Sequence, residues 1–457
     1  MILLVISPIL LSAQFIKLFD FSQLSGREPY GSLILDEQND ILYGLTYQGG
    51  INDDGTLFKY DLNGSGFAVL MDFENTTGRN PRGSLLKAGS TLFGMTSAGG
   101  ANDWGTIFKI RTDGTGFTTI FDFNKPTTGG APFGSLILSG NTLYGMAFDG
   151  GPNNLGVVFS IDTSGNNYTI LHGFGGSDGR GPYGDLTLDG NMLYGMTKYG
   201  GTSNVGVIFK IQTNGTGFTK MFDFDWLTSG GYPNGSLTFY DNTLYGMASQ
   251  GGDYGVGVIF KINTSGIPIF NKLMDFQTST TGEYPWGNLV VYDEHLYGMT
   301  DGNGILHYGS IFSVALDGSA FTPVYEFTDP ANGSHPKGTP VLDPFTGGIV
   351  YYGMTQYGGT SNYGVIFYFN DQGAGIEPVT GHQALILYPV PARDFVIIRS
   401  QKTIRTVTIF DLLGKQVYGG TFDSQEIRIP VEGIENGIYF IRVEGDQFCS
   451  TRKFLKK

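Results

Sequence analysis

The chain has little of what covalent and metal chemistry is usually built from. Its 457 residues include one cysteine, Cys449, and five histidines, at 172, 295, 307, 335 and 382. A lone thiol excludes an intrachain disulfide, and no pair of these histidines has metal-ligand spacing, so neither a metal nor another cofactor is expected. Charged residues make up only 15%, and 27 Lys and Arg face 41 Asp and Glu, for a net charge of −14. This shortage of cations argues against nucleic acid or an anionic membrane as partners, because phosphate recognition needs clustered Lys and Arg. No apolar run approaches the roughly 18 residues of a membrane span. Nor does any stretch hold a 3.6-residue apolar period, so long amphipathic helices are not expected.

Glycine, by contrast, is abundant, at 72 residues, and aromatics reach 14% within a 40% hydrophobic content. Such a chain can build real cores, but with many tight turns and few helices. The acidity is uneven. Residues 384–457 hold 11 basic and 8 acidic residues, net +3, which leaves 16 and 33, net −17, in residues 1–383. Two regions of different character follow. The opening MILLVISPILLSAQ has the apolar core and small-residue end of a secretory signal, without a basic start, and residues 1–14 are read as a signal peptide.

The organising feature is a repeat. LYGMTKYGGTSNVGVIFKI, residues 193–211, has close copies beginning at Leu42, Leu92, Leu143, Leu244, Leu296 and Tyr351. Each copy is preceded by Pro-x-Gly, whose glycine falls at 31, 83, 134, 184, 235, 287 and 338, in steps of 52, 51, 50, 51, 52 and 51. Within the second unit the short β-branched and aromatic runs predict four strands, over 83–87, 92–97, 105–110 and 117–123. Four antiparallel strands at this period fit a propeller blade of the kelch length. An open solenoid competes, but the seventh unit stops without a fourth strand, while an unpartnered one, 15–21, stands at the other end of the array. A ring explains both ends, because the N-terminal strand completes the last blade and leaves no open edge. The prediction is an all-β chain: a seven-bladed β-propeller over 15–370, a linker over 371–383, and a small C-terminal β-sandwich over 384–457.

Through the LYGMT, GG and GxIFKI elements, residues 15–370 resemble the GloVer tandem-repeat family of secreted bacterial proteins. That resemblance implies a surface or secreted repeat protein and supplies no catalytic residues. The C-terminal segment is similar to the sorting domain of the Por, or type IX, secretion system. The matching positions are Tyr388-Pro389-Val390-Pro391-Ala392, the 407–411 run leading to Gly414-Lys415, the strand from Gly437 through Tyr439 to Val443, and the basic end with Lys453. Val390 stands where the family usually has Asn. The resemblance implies recognition by the type IX translocon and sorting machinery, and a final place at the outer-membrane surface of a Gram-negative bacterium or in the medium.

Among the repeats the neighbours of x in Pro-x-Gly are nearly invariant while x varies: Tyr30, Arg82, Phe133, Tyr183, Asn234, Trp286 and Lys337. Scaffold demands do not fix these residues, so they are candidates for ligand binding at a channel mouth, where aromatics and polar groups hold a glycan or peptide. Simple packing over the hub is the competing explanation. Loop tips at Asp53, Trp104, Tyr254, Tyr308 and Tyr363 belong to the same face. The acidic residue before the repeated Phe, at Asp20, Asp72, Asp122, Asp223, Asp275 and Glu326, reads as a turn cap, since one per blade cannot share an ion. Gly175-Gly176-Ser177-Asp178-Gly179 matches a nucleophile elbow in letters only, with no strand-turn-helix context. The function expected is a non-enzymatic binding or adhesion module. The alternative is an extracellular glycan hydrolase or lyase, which needs converging carboxylates that the Pro-x-Gly ring lacks.

Overall fold

A computed structural model of the chain describes residues 14–302, 307–343, 350–370, 386–388, 395–411, 414–445 and 448–456. The expected signal segment, apart from Gln14, and the linker lie outside the described residues, as do Pro389 and Pro391. No helix among the described residues is long and apolar enough to cross a membrane.

One repeat shows how the sequence dictates its sheet. In the second unit four antiparallel strands, Leu86–Ala88, Thr91–Thr96, Thr106–Arg111 and Thr118–Asp122, lie side by side in chain order. Thr91–Thr96 is buried on both faces beyond its first residue, which is why its sequence is continuously apolar and not alternating. Gly94 faces Phe108 across the ladder, and a Cβ on Gly94 would meet the Phe108 ring at 2.4 Å, so the invariant glycine makes room for the invariant aromatic. Two pairs further, the hydroxyls of Thr96 and Thr106 satisfy each other in the interior at 2.9 Å.

Among the described residues seven sheets of this kind follow one another, five of four strands and two gaining a short extra strand, Arg180–Pro182 or Glu283–Pro285. Neighbouring sheets share apolar cores. Tyr43, Leu45 and Leu57 of the first meet Leu85, Leu92 and Phe108 of the second. The same relation joins the last sheet to the first, where Val350, Tyr352, Met354 and Ile366 pack on Phe21, Leu33, Leu42 and Phe58. Strand Gln14–Asp20 pairs antiparallel with Val365–Asn370, Phe15 opposite Phe369 and Asp20 opposite Val365. The N-terminal strand thus completes the sheet whose other three strands come from residues 341–370.

The first strand of each unit is shorter than the sequence suggested, because the Gly-Ser segment before it makes a different set of bonds. The backbone N–H of Ser32 donates to Ser84 Oγ, Ser84 to Ser135 Oγ, Ser135 to Asp185 Oδ1, Asp185 to Ser236 Oγ, Ser236 to Asn288 Oδ1, Asn288 to Thr339 Oγ1, and Thr339 back to Ser32 Oγ, all within 2.5–2.9 Å. The adjoining glycines approach equally closely. A Cβ on Gly184 would stand 2.2 Å from the Gly235 carbonyl oxygen, and each of the seven meets the next repeat's carbonyl in the same way, Gly338 returning to Gly31. These glycines are required by contact and not by φ, which is not positive at any of them.

The C-terminal strands, Ile386–Tyr388, Phe395–Phe410, Gln416–Pro430, Gly437–Gly445 and Phe448–Lys456, form one curled sheet where a two-layer sandwich was expected. The long strand Phe395–Phe410 breaks register between Arg399 and Ile404, and its edge partner changes there from Ile386–Tyr388 to Gly437–Gly445. The curl closes over one core that includes Val396, Ile398, Val407, Ile409, Ile427, Tyr439 and Ile441. Tyr439 sits in that core with its hydroxyl donating to the Glu435 carbonyl, Gly414 makes a turn at φ +77°, and Gly437 and Lys453 lie on the last two strands.

Two outcomes are expected. Deleting residues 15–20 exposes the strand Val365–Asn370 and should replace a single cooperative calorimetric transition with a broad, lower one. Gly184→Ala should cost about 2 kcal/mol or more in chemical denaturation, against a far smaller cost for Gly190→Ala, where no atom lies within 4 Å but φ is positive.

Candidate ligand-binding site

The hydroxyl belt holds the residue before each glycine at a fixed place, so the seven variable side chains are delivered to one locus. Tyr30, Arg82, Phe133, Tyr183, Asn234, Trp286 and Lys337 all line a single central cavity together with the glycines and the belt. Its volume is about 60 Å³. A pocket that engulfs a small molecule measures roughly 300–1,000 Å³, so this space admits a few waters or one small functional group.

The ring residues fill the rest of the space by contacting one another. The Arg82 guanidinium lies 4.6 Å from the Tyr47 ring centre, 4.7 Å from Phe133 and 5.1 Å from Tyr30. It also donates to the hydroxyls of Tyr183 and Tyr47, at 3.2 and 3.3 Å. Tyr183 meets Phe133 and Trp286. Lys337, 8% exposed, pairs with Asp301 at 2.6 Å and stands 4.1 Å from the Trp286 ring centre. Asn234, 6% exposed, donates to Ser249 Oγ, which in turn donates to the Tyr232 carbonyl. Tyr30 accepts from Gln356 Nε2 at 2.7 Å.

A second variable position supplies most of these partners, and the sequence reading passed over it. Immediately after the conserved LYGMT or LYGMA comes Tyr47, Ser97, Phe148, Lys198, Ser249, Asp301 or Gln356. It is the same signal that picked out Pro-x-Gly: a changing residue in a constant frame. The frame itself explains the pairing, because the strand that begins the motif runs antiparallel to the one after Pro-x-Gly and ends beside it. Lys198 comes from this second set. Its ammonium lies 4.7 Å from the Tyr183 ring centre and 5.6 Å from Trp286, and no ion pair or hydrogen bond to it is found among the described residues.

Burial governs the electrostatics. It pushes the Tyr30 hydroxyl up to about 12 and raises Tyr183, although Arg82 opposes both. Burial lowers Lys198, and the like charges of Arg82 and Lys337 add to the effect. Burial also lowers Lys337 against the pull of Asp301, and lowers His335, which stands edge-on to Tyr357. Arg82 Nε, Asn234 Oδ1, Asp301 Oδ1 and His335 Nδ1 are buried without a hydrogen-bond partner among the described residues. Such orphans are rare in protein interiors, and four cluster here.

The other sequence candidates go elsewhere. Trp104 lies under Lys125 at 4.4 Å and Tyr308 faces His335, so these two loop tips brace the following repeat, while Asp53 is bound by Arg27 of its own repeat at 3.0 Å and Tyr254 is 58% exposed. Asp20, Asp72, Asp122, Asp223 and Asp275 each accept a backbone N–H from the turn between the middle strands, at 2.7–3.1 Å, which is the capping role expected of them. His172 binds Asp178 at 2.8 Å and stacks on Phe218. Among the described residues no group of three or more His, Cys, Asp or Glu is placed to hold a metal ion.

The Tyr30 shift has a consequence for alkaline stability. A hydroxyl raised from 10 to about 12 on folding contributes stability that is complete below pH 10 and lost as pH rises toward 12. Tyr30→Phe should therefore flatten the fall in melting temperature across that window, and tyrosinate absorbance should show one fewer late-titrating group.

The family model of the Gloeobacter/Verrucomicrobia repeat matches residues 7–204, 90–280 and 227–383. That of the secretion system C-terminal sorting domain matches residues 386–457. No curated protein matches the chain. Among solved structures it is similar to PorZ, a bacterial surface component of the type IX secretion system of Porphyromonas gingivalis, at 15% identity and a TM-score of 0.49, covering 96% of this chain and 60% of PorZ. A puromycin-hydrolyzing peptidase of Mycobacterium tuberculosis is similar at 9% identity and a TM-score of 0.49, with 82% and 59% covered. The chain thus spans about 60% of the length of either protein. The sorting domain marks it for export by the type IX secretion system, to the medium or the cell surface. The chain belongs to the Gloeobacter/Verrucomicrobia repeat family.

Proposed function

We propose that this protein is a secreted or surface-displayed binding module without catalytic activity of its own. In this reading residues 1–14 are a signal peptide, 15–370 form a closed, kelch-like seven-bladed propeller, 371–383 are a linker, and 384–457 are the sorting domain read by the type IX translocon. Its ligand is an extracellular glycan or protein segment taken at the central mouth.

One observation carries the proposal: the x of Pro-x-Gly, which varies within an otherwise constant repeat, lines one cavity in all seven units, and residues of the second variable position contact those side chains. A merely structural hub would be served by one residue type repeated seven times, as the glycines and the belt are. The mouth instead combines the aromatic faces of Tyr183 and Trp286 with Arg82, Lys198, Asn234 and Lys337, a mixture suited to stacking and hydrogen bonding. Its small volume means that a ligand rests on the rim and inserts one group. A hydrolase or lyase would need a pair of available carboxylates. Here Asp301 is held by Lys337 and Asp185 is part of the belt.

Arrays of extracellular glycans and peptides test the reading. The full chain should bind a definable subset, and Tyr183→Ala with Trp286→Ala should abolish that signal while the melting temperature stays within a few degrees. Release of reducing ends from any bound glycan would replace the binding reading with the enzymatic one.

A further inference from the structure

The mouth has a charge character at odds with the rest of the chain. The protein is net −14, yet two cations, Arg82 and Lys337, line the cavity and a third, Lys198, stands against the Tyr183 and Trp286 rings that line it. Two carboxylates lie near them, and neither neutralises all three. Asp301 is taken by Lys337 at 2.6 Å. Asp185 accepts the Ser135 N–H and donates its own N–H to Ser236, within the belt. Arg82 spends its donors on two tyrosine hydroxyls and leaves Nε without a partner, and Lys198 is half-buried among aromatic rings without a carboxylate. Burying cations together costs free energy unless anions offset them, and Asp301 and Asp185 are two carboxylates against three cations.

The rest of the lining says what bears that anion. Tyr183 and Trp286 present half-buried aromatic faces on either side of Lys198, at 4.7 and 5.6 Å from its ammonium. Asn234, 94% buried by its 6% exposure, carries a carbonyl oxygen with no donor, which calls for a hydroxyl and not for a second anion. The cavity, at about 60 Å³, takes one small charged group and excludes the ring that carries it. We propose that the mouth is a subsite for a uronic acid residue of an acidic polysaccharide. Its carboxylate enters between Lys198 and Arg82, its ring rests on Trp286 and Tyr183, and a hydroxyl donates to Asn234 Oδ1. The inference rests on the binding reading above and adds the class of ligand. The lowered proton affinity of Lys198 is consistent with it, since a bound carboxylate relieves the repulsion from Arg82 and Lys337.

Calorimetry with the full chain tests this using oligogalacturonate and its fully methyl-esterified form, which keeps the ring and removes the charge. The acid form should bind and the ester should bind roughly tenfold to a hundredfold more weakly, the worth of a hydrogen-bonded charge. Lys198→Gln should bring the two forms to equal affinity, and Lys198→Arg should keep most of the preference. Equal affinity for both forms in the unmodified protein, or an unchanged preference in Lys198→Gln, overturns the anion subsite and leaves the binding module standing. Binding of peptides through a terminal carboxylate, with neither uronate form bound, overturns the polysaccharide class alone. Failure of both uronate forms and of every glycan and peptide on the arrays overturns the subsite and the binding reading together. The comparison of acid with ester needs no variant, so a misfolded substitution cannot decide it.

Discussion

The belt of seven hydrogen bonds between Ser32, Ser84, Ser135, Asp185, Ser236, Asn288 and Thr339 is the contact on which everything else depends. Six links join the backbone of one repeat to a side chain of the next, 50 to 52 residues on, the seventh returns from Thr339 to Ser32, and each satisfies an N–H that no ladder reaches. The belt needs the glycines beside it, because the repeats approach to within 2.1–2.6 Å of where a Cβ would be. It tolerates exchange among Ser, Thr, Asn and Asp, since any of these offers an oxygen at the right reach. The apolar cores between sheets add stability but are shared pairwise. Like the belt, they link each of the seven units to the next.

Because the belt fixes the backbone, the residue just before it is free to vary. That freedom is the physical link between scaffold and site. A side chain at x cannot disturb the bonds formed by the next two residues, so the repeats diverge there without loss of the fold. The same holds at the position after LYGMT, which ends a strand already locked by Leu92 and Gly94 and their equivalents. Two permissive positions per repeat, brought to one place, give a surface whose chemistry is not set by folding. Here they place arginine and lysine against aromatic rings, with burial shifting Tyr30 up and Lys198 down.

Much of the fold was legible because its units repeat. The strand-forming runs of each repeat, the acidic residue ahead of most of the repeated Phe, and the unpartnered strand at the N-terminus are all periodic signals, and the pairing of Phe15 with Phe369 follows from that periodicity. The C-terminal segment has no internal repeat, and its alternating strands did not distinguish two layers from one curled sheet. That choice depends on the register break between Arg399 and Ile404, which leaves no mark in hydrophobic alternation. Lys198, Asp301 and Tyr47 were missed for a related reason. Each looks like an ordinary residue at the end of a strand until the ring brings it beside its partner.

The sequence by itself determined the repeat, the four-strand pattern of each unit and the C-terminal sorting signal, because these rest on local pattern and on a period that can be counted. Only the tertiary structure decided that Arg82 lies between Tyr47 and Phe133, that Lys337 takes Asp301 and that Lys198 keeps no carboxylate. Those contacts join residues up to about 50 positions apart, and their signs and distances depend on how side chains from all seven units share one narrow space.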